Sequence, residues 1–518
     1  MTDTYYVTTP IYYVNDVPHI GHAYTTIAAD VVARFFRSAG RDVRFLTGTD
    51  EHGVKIFKAA REKGKEPPEL ADEVVVHFQQ LWKDLEISHD DFIRTTEPRH
   101  EARVQEIIRR LLQRDEIYLG KYEGWYDEGQ EEFVTESTAR QNDYKSAISG
   151  RDLVRYSEPS YHFRLGKWIP KLIEHIEANP TFIQPEARRN EVLSKLQQGV
   201  ADLSISRQKQ KLPWGVEMPN DGEHVVYVWI DALSNYVTAL GIPEIGDEHD
   251  GEHAQYWPAD VHLIGKDILW FHAVYWPCLL MALDMPLPKC VFAHGWWTSE
   301  GRKMSKSLGN FISREVIADI CREYSVDVFR YYLLRTVAFG ADGDFSHDDL
   351  RQRYNGDLAN GVGNLLSRTV NMISRYFDGE IPPAGETGED ERHVLAAADD
   401  LTKSAEEIIG LCRFHLLLDK VNALADATNR YIDSTQPFKL AKDESQRDRL
   451  ATILHTCAEA VRLVLVHLQP IMPATMRRGL EQLGATGPDR PIAEAGVWGA
   501  VRPGTRVVKG EGLFPRKS

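Results

Sequence analysis

The fold of this chain is decided near its start, where residues 5–22 read YYVTTPIYYVNDVPHIGH. Residues 5–9 are aromatic and β-branched, which predicts a strand. Apolar residues then recur at helical spacing over 27–36, and this helix is predicted to end at Gly40. Residues 43–47 predict a second strand. This β-α-β order predicts a parallel sheet with right-handed crossovers, whose ligands bind beyond the carboxyl ends of the strands.

The composition is that of a folded protein of several domains. The chain has 518 residues, 42% of them apolar, and 61 Lys and Arg against 77 Asp and Glu give a net charge of −16. These values exclude a collagen, a disordered chain and a small disulfide scaffold. The five cysteines are scattered without a Cys-x-x-Cys pair, so free thiols are expected. The acidic balance argues against an indiscriminate nucleic-acid coat but is compatible with a local basic groove.

No targeting or membrane segment is predicted. The first residues lack a basic stretch followed by an apolar run, so a cytoplasmic protein is expected. The most apolar stretch, residues 268–283, is shorter than the roughly 20 residues of a membrane span and is predicted to be a buried helix.

Further along the chain the sequence changes character twice. Residues 117–200 are polar and rich in turns, which indicates an insertion between two halves of the sheet. Strand patterns resume at 225–229 and 261–265 and are predicted to complete the sheet. Beyond Gly340 the pattern is helical and predicts a bundle of about four or five helices.

Two motifs carry residues suited to phosphate chemistry. His19-Ile20-Gly21-His22 lies where a strand turns into a helix, so two imidazoles would lie near the positive end of a helix dipole. Alone, this four-residue pattern is not distinguished from chance. Residues 301–310 read GRKMSKSLGN, which places two lysines and two serines between glycines, as a loop that lays ammonium groups on phosphates requires. The alternative for this second motif is a solvated basic loop.

Taken together, the two motifs resemble the two signatures of the class I aminoacyl-tRNA synthetases. Four further segments, and essentially the whole chain, are similar to the methionyl-tRNA synthetase family: residues 8–15, 48–53, 228–232 and 264–268. The resemblance implies an α/β Rossmann-type parallel-sheet catalytic domain with a small connective insertion, followed by an all-α helix-bundle anticodon-binding domain. The expected bounds are 1–116 and 225–294 for the two catalytic halves, 117–224 for the connective insertion and return segment, 295–350 for the linking domain with the lysine loop, and 351–518 for the bundle.

The resemblance also implies the reaction and its catalytic residues. With ATP and Mg²⁺, the carboxylate of L-methionine attacks the α-phosphate, pyrophosphate leaves, and the methionyl group then passes from the adenylate to a methionine-specific tRNA for initiation and elongation. The groups expected to stabilise charge in the transition state are His19, His22, Lys303 and Lys306. Gly21 and Ser305 are expected to join them in binding ATP, and Lys306 is the first choice for the cation on the pyrophosphate side.

For the amino acid, the resemblance implies that Asp50 holds the ammonium group and that the backbone near Ile11 assists. The side chains expected to enclose the thioether are Tyr13, Trp229, Ala232, Tyr236, Ile268, His272 and Trp276. Ile268, His272 and Trp276 have the spacing of one helix face, and Trp229 and Tyr236 would share a face if a helix began close to Asp231. Aromatic faces are more often plain core, but a thioether packs favourably against aromatic rings.

The chain departs from the family in three places. Asp127 and Gln130 stand where many relatives carry the thiolates of a zinc knuckle, so a zinc-free insertion is expected, with no metal other than the Mg²⁺ of ATP. The anticodon-binding residues implied by the resemblance are Asn364, Arg368 and Phe438, the last in place of the usual tryptophan. We expect no appended tRNA-binding barrel after the bundle, and therefore a monomer.

Two other interpretations are weighed against this one. Another class I synthetase or a small-molecule nucleotidyltransferase would share the histidine motif, but the insertion is too short for a separate editing domain and a nucleotidyltransferase would not need the bundle. A tRNA-binding scaffold that has lost catalysis would keep the bundle, but both signatures are intact in this chain.

Overall fold

The fold is described by a computed structural model that covers residues 3–130, 132–134, 136–245, 251–304, 309–485 and 490–517. Two of the expected ATP ligands, Ser305 and Lys306, lie outside these described residues.

Strands and helices alternate through the first part of the chain, as its sequence predicts. Their bounds are β1 (Thr4–Thr8), β2 (Tyr12–Tyr13), α1 (Ile20–Ser38), β3 (Asp42–Asp50), α2 (Val54–Glu62), α3 (Pro67–Asp84), β4 (Asp91–Arg94) and α4 (Pro98–Gln113). Helix α1 begins at the histidine motif and ends just before Gly40, whose φ of 91° lies in the left-handed region that glycine adopts readily.

The next part of the chain is built mainly of short antiparallel strands. Its elements are β5 (Ile117–Asp127), β6 (Glu132–Val134), α5 (Glu136–Gln141), β7 (Val154–Phe163), α6 (Leu165–Ala178), β8 (Ile183–Gln184), α7 (Glu186–Leu196), β9 (Leu203–Ser204), β10 (Ser206–Gln208), β11 (Glu217–Met218) and β12 (Asp221–Val226). One antiparallel sheet has the order β6-β5-β7-β9 and the other has the order β10-β12-β11.

The chain then returns to the main sheet and leads on to a small linking sheet. The elements are α8 (Val228–Thr238), β13 (Val261–Gly265), α9 (Trp276–Ala282), β14 (Val291–His294), β15 (Trp297–Ser299), β16 (Arg302–Lys303), α10 (Arg314–Tyr324), α11 (Val326–Thr336) and β17 (Gly343–Phe345). A 3₁₀ turn (Lys266–Ile268) and a π-helical turn (Phe271–Tyr275) connect β13 to α9. Residues 268–283 are thus helical and largely buried, as predicted.

The remainder of the described chain is helical. Its elements are α12 (His347–Arg353), a π-helical segment (Tyr354–Gly363), α13 (Asn364–Tyr376), α14 (Arg392–Gly410), α15 (Phe414–Thr435), α16 (Pro437–Leu440), α17 (Arg447–Leu468), α18 (Pro473–Gln482) and α19 (Pro491–Ala495). The long helices α13, α14, α15 and α17, with α18, form the predicted bundle.

The central sheet has seven parallel strands and separates two apolar cores. Six of the strands have the order β2-β3-β1-β13-β14-β8. The seventh, β4, pairs with β3, as β2 does. Side chains alternate between the two faces. Val7 and Phe45 enter the core shared with α1 and the bundle, whereas Tyr6 and Leu46 enter the core shared with α4, α8 and α9.

Two predictions about the middle of the chain are wrong. Residues 225–229 do not add a strand to the central sheet, because β12 pairs antiparallel with β10 and β11 and α8 already begins at Val228. A short apolar run that is buried on all sides suits a strand or a helix equally well. The outer strand β8 comes instead from the segment interpreted as an insertion, and α6 and α7 pack beside it.

Within the part of the chain that the structure describes, one helix is long and apolar enough to cross a membrane by length and composition alone. It comprises residues 444–468, and 94% of its most apolar window is buried inside the protein. The helix therefore has the character of the core helix of the bundle.

Candidate active site

One cavity at the carboxyl ends of β1, β3, β13 and β14 contains most of the predicted site. Its volume is about 740 Å³. It brings together residues from both signatures and from the predicted amino-acid pocket: Ile11, Tyr13, His19, Gly21, His22, Asp50, Trp229, Ala232, Tyr236, Ile268, His272 and Lys303. The position beyond the strand ends is the one expected for a parallel sheet of this kind.

The two histidines of the first motif cap helix α1 reciprocally. The backbone N–H of Gly21 donates to Nδ1 of His19 at 3.0 Å, and the backbone N–H of His19 donates to Nδ1 of His22 at 3.1 Å. Both Nδ1 atoms accept, so a neutral ring carries its proton on Nε2. Burial, and then the neighbouring His19, lower the pKa of His22 well below its usual value. The pair is therefore arranged as neutral Nε2–H donors beside the positive end of a helix.

Gly21 is required by this cap. A Cβ built at position 21 would lie 2.9 Å from Cε1 and 3.2 Å from Nδ1 of the His19 ring. Such a contact would push the ring off the helix end. The glycine thus serves the position of His19, in addition to leaving the backbone open to a ligand.

The second signature meets the first through the residues on either side of its loop. Lys303 lies in β16, is exposed, and lines the cavity. After the loop, the carbonyl of Ile312 accepts from the backbone N–H of Ile20 at 3.1 Å, and the Phe311 ring lies 5.4 Å from that of His19. Asn310 donates from Nδ2 to the carbonyl of Lys303 at 3.2 Å. These contacts bring the base of the lysine loop to the start of α1.

The other end of the cavity is walled by aromatic side chains. Trp229 stacks on Phe271 with ring centroids 3.7 Å apart and an angle of 7° between the planes. Tyr13 and His272 each meet Trp229 edge to face, with centroids 6.4 Å away. This geometry is favourable for aromatic pairs and presents an apolar, polarizable surface to a ligand.

A hydrogen-bond chain fixes the protonation of His272. Its Nδ1 lies 3.0 Å from the carbonyl of Ile268, which only accepts, so Nδ1 carries the proton. Nε2 therefore accepts from the hydroxyl of Tyr236 at 2.7 Å. Burial lowers the pKa of His272 to about 4, so the ring is neutral at physiological pH.

Trp276 does not line the cavity. It is 1% exposed and lies behind Tyr236, with ring centroids 5.9 Å apart. Its Nε1–H donates to Nε2 of His262 at 3.3 Å. The spacing of Ile268, His272 and Trp276 predicts one ideal α-helical face, but a 3₁₀ turn and a π-helical turn interrupt it. Trp276 therefore supports the wall from behind.

Asp50 ends β3 and is 2% exposed at the cavity wall. Asp231 does not begin helix α8, which starts three residues earlier. Its carboxylate instead accepts from Nδ1 of His52 and from Nε2 of His100, both at 2.8 Å. Asp231 thus lies in the first turn of the helix and is used in this buried cluster, not as a cap.

Several cavity residues were not predicted from the sequence. Side chains at the cavity that the sequence motifs did not indicate include Asn15, Asp16, Asp267, His294, Trp296 and Phe311, and Phe271 stacks behind Trp229. Asp267 follows β13 and His294 is the last residue of β14, and both strands end at this edge of the sheet. That position was the available signal, because side chains just beyond parallel strands converge on one crevice.

The turn of the connective segment is held by its own side chain. Oδ1 of Asp127 accepts from the backbone N–H of Gly129 at 2.8 Å and from that of Gln130 at 3.2 Å. Within the described residues, no group of three or more His, Cys, Asp or Glu side chains is placed to hold a metal ion. The donors near Asp127 therefore do not fit the usual four ligands of structural zinc.

The predicted anticodon residues lie on two helices of the bundle, α13 and α16. Asn364 begins α13 on the surface, and Arg368 follows one turn later. Arg368 donates to Asp433 at 2.7 Å and to Asn429 at 3.5 Å, both on α15. Phe438 lies on α16, which follows α15, and is 48% exposed. Unstacked RNA bases can stack on an exposed aromatic ring and can accept hydrogen bonds from a guanidinium group.

The chain is similar to known proteins along its whole length. The family model described as tRNA synthetases class I (M) matches residues 5–142 and 138–370. The methionine–tRNA ligase of Caldanaerobacter subterraneus is 49% identical over all of this chain and 79% of its own length. That of Bacillus subtilis is 45% identical over 99% of this chain and 78% of its own length.

Solved structures agree with these relatives. The methionyl-tRNA synthetase of Mycobacterium tuberculosis in complex with methionyl-adenylate superposes with a TM-score of 0.92, at 41% identity, over 99% of this chain and 100% of that one. Its free form gives a TM-score of 0.87 at 38% identity, over 100% and 99%. The expected fold class and family are thus confirmed: the chain belongs to the methionyl-tRNA synthetases, a family of class I aminoacyl-tRNA synthetases.

Proposed function

We infer that this chain is an enzyme, a methionine–tRNA ligase, which uses ATP to form methionyl-adenylate and then charges tRNA with methionine. The observation that carries this function is the single cavity that joins an aromatic pocket containing Asp50 to the capped histidine pair and to Lys303. An amino acid and a nucleotide bound at these two ends would meet inside one site, as adenylate formation requires.

At the nucleotide end, we assign His19 and His22 to the phosphates of ATP. Their caps leave the Nε2–H groups as donors, and a neutral donor held in place by the backbone needs no reorganisation when charge develops on the phosphate oxygens. The methionine carboxylate attacks the α-phosphorus, the bond to the bridging oxygen breaks, and pyrophosphate leaves with its electron pair. No protein nucleophile takes part.

Lys303 and Lys306 are proposed to stabilise the pyrophosphate side. The role of Lys303 is supported by its position, because the residue is exposed and lines the cavity. The roles of Ser305 and Lys306 rest on the sequence signature alone. Gly21 is assigned to the same end, since it positions His19 and leaves space at the helix start.

At the amino-acid end, Asp50 is proposed to bind the methionine ammonium, with backbone groups near Ile11. A carboxylate that is 2% exposed gives a buried cation the partner it needs. The thioether is proposed to lie against the wall formed by Tyr13, Trp229, Ala232, Tyr236, Ile268 and His272. Trp276 is proposed to act only through Tyr236.

The bundle is proposed to read the tRNA anticodon. Arg368 and Asn364 would hydrogen-bond base edges, and Phe438 would stack on a base. The supporting observations are the exposure of Asn364 and of the Phe438 ring. A phenylalanine at this position offers stacking without an indole N–H donor.

Further properties of the enzyme remain predictions. Mg²⁺ would enter with ATP, and the connective segment would fold without zinc because Asp127 holds its turn through backbone amides. A monomer is expected and is tested by light scattering against the chain mass of 59.0 kDa. The expectation of a cytoplasmic enzyme is tested by fractionation of the cell.

The decisive experiment is amino-acid-dependent exchange of pyrophosphate into ATP, run with all twenty amino acids. Exchange is expected with methionine alone, and it should fall strongly in Lys306→Ala and in Asp50→Asn. Exchange with another amino acid would overturn the pocket assignment, whereas tRNA binding without any exchange would favour the scaffold interpretation.

A further inference from the structure

A cluster of three buried side chains lies directly behind the amino-acid pocket. We propose that Asp231, His52 and His100 form a positioning cluster that holds Asp50 and the wall of α8 in register and thereby sets the affinity for methionine. This proposal rests on the function proposed above, in which Asp50 binds the ammonium group.

The three side chains of the cluster are buried and joined by hydrogen bonds. Oδ2 of Asp231 accepts from Nδ1 of His52 and Oδ1 accepts from Nε2 of His100, both at 2.8 Å. Nδ1 of His100 lies 2.7 Å from the hydroxyl of Thr238. Asp231 and His100 are 1% and 0% exposed, and His52 is 2% exposed. A buried carboxylate with two imidazole donors is costly to form and specific in geometry, because neither partner can move without leaving a charge unpaired.

The cluster joins three elements that meet at the pocket. His52 follows Asp50 by two residues, at the end of β3. Asp231 lies on α8 between Trp229 and Ala232, which both line the cavity. His100 comes from α4, behind the pocket. A movement of the ion pair would therefore shift the ammonium ligand and the aromatic wall together.

The residue between Asp50 and His52 is held as firmly. Glu51 is 0% exposed, and its carboxylate accepts from Thr49, Arg94 and Thr96 at 2.6 to 2.7 Å. The two residues that follow Asp50 are thus both held by buried partners. Such fixation of a binding group by its neighbours is how a site avoids reorganisation on binding.

A protonated His52 carries the charge that opposes Asp231. Burial alone would lower the pKa of His52, but Asp231, Glu101 and Glu51 outweigh it and raise the pKa. Nε2 of His52 also lies 3.6 Å from Oε1 of Glu101, and His100 meets the other carboxylate oxygen of Asp231. As the pH rises through the pKa of His52, the ring loses its charge and Asp231 loses its counter-ion. The KM for methionine is expected to rise over this range, while the KM for ATP stays constant.

The test compares Asp231→Asn with the wild-type enzyme in the pyrophosphate-exchange assay. Asparagine keeps the size of the side chain but removes the charge. The KM for methionine should rise about tenfold or more, whereas kcat and the KM for ATP should change by less than about twofold. The alkaline rise of the methionine KM should also move to lower pH, because His52 loses its main charge partner.

Asp327→Asn is the matched control. Asp327 is 2% exposed on α11, and its Oδ2 accepts from the backbone N–H of Thr475, far from the cavity. A general loss of stability would affect both variants alike. If Asp231→Asn changes the methionine KM no more than Asp327→Asn does, the cluster does not position the pocket.

Two further measurements keep the outcome decisive. If Asp231→Asn fails to fold, the wild-type pH profile decides, since a methionine KM that does not rise as the pH is raised above the ordinary histidine pKa of about 6.5 would overturn the proposal. Asp50→Asn separates the two levels of inference. If Asp50→Asn leaves methionine binding intact, the proposed function of the pocket fails. If Asp50→Asn abolishes methionine binding and Asp231→Asn behaves as the control, only the positioning cluster fails.

Discussion

At the scale of single residues, Gly21 has no side chain and still determines where His19 lies. A methyl group at this position would touch the ring 2.9 Å away. In Gly21→Ala we expect the cap of α1 to open and kcat for pyrophosphate exchange to fall by about 10²-fold, because a displaced donor no longer meets the developing charge. The KM for methionine should be unchanged.

The control for this variant is Gly64→Ala, a surface glycine with no atom within 4 Å of a built Cβ. Its φ of 66° makes the substitution strained, so stability falls while kcat should be kept. Equal losses of kcat in the two variants would contradict the role of Gly21.

Tyr236 provides a second prediction at this scale. Its hydroxyl is the only donor that the described residues offer to Nε2 of His272, and the acceptor would be left unpaired in Tyr236→Phe. We expect a loss of about 1–3 kcal/mol in methionine binding, measured as the KM. The ring at position 272 is neutral above a pKa of about 4, so the effect should be independent of pH between about pH 5 and about pH 7. A ratio of mutant to wild-type KM that varies steeply in this range would refute the neutral assignment.

The residues of the site divide by how well the sequence could reveal them. Some residues belong to sequence segments that resemble the family, and these are found in one cavity: Asp50, the two histidines of the motif and Trp229. Phe271 and Asp231 were not assigned to the pocket or its support, because each acts through a neighbour that is distant in sequence. Such partners depend on tertiary packing, which periodicity does not encode.

At the scale of elements, the connective turn carries the prediction about zinc. Asp127 accepts two backbone amides in the turn at residues 127–130. We expect the enzyme to keep full exchange activity after treatment with a zinc chelator, once Mg²⁺ is restored with ATP. Activity that is lost on chelation and recovered only with zinc would contradict this expectation.

Helix α13 carries the prediction for tRNA. Arg368 donates to Asp433 and Asn429 across to α15, which presents its guanidinium in a fixed orientation. In Arg368→Ala the KM for tRNA in aminoacylation should rise about tenfold or more, since a base-edge contact is worth about 1–3 kcal/mol. Exchange of pyrophosphate without tRNA should be unaffected. Lys403→Ala, an exposed cation on α14, should change neither quantity.

The elements themselves were predicted unevenly. Helix α1 and strands β1, β3 and β13 follow from clear periodicity and agree with the structure. The strand predicted at residues 225–229 does not agree with the structure. Apolar residues that are buried on every side show neither the period of two of a strand nor the period of 3.6 of a helix. The two-residue strand β8 was also missed, since it is recognisable only by its pairing with β14.

At the scale of the whole molecule, one buried arginine joins the catalytic sheet to the bundle. Arg330 on α11 is 0% exposed and donates to Asp30 of α1 at 2.6 Å. The same guanidinium donates to the carbonyls of Pro470 at 3.1 Å and Ile471 at 2.8 Å, between α17 and α18. Helix α1 is the helix that His19 caps, so this contact links the histidine motif to the bundle through one helix.

Arg330→Ala would leave Asp30 buried without its nearest cation, and removal of one partner of a buried ion pair costs about 3–5 kcal/mol. We expect the free energy of unfolding in urea to fall by about this amount. Arg322→Ala removes an exposed pair with Asp319 and should change it by less than about 1 kcal/mol. Burial alone would raise the pKa of Asp30, but Arg330 and Arg34 outweigh it and lower the pKa.

The sign of the pH dependence follows from that lowered pKa. The stabilisation that the Asp30 pair contributes is fully present above the unfolded pKa of about 4 and is lost as the pH falls through the lower folded value. The difference in unfolding free energy between wild type and Arg330→Ala should therefore be constant from about pH 5 to about pH 7 and should shrink in more acidic solution. A difference that grows on acidification, or that is absent at neutral pH, would show that packing alone holds the bundle against the catalytic sheet.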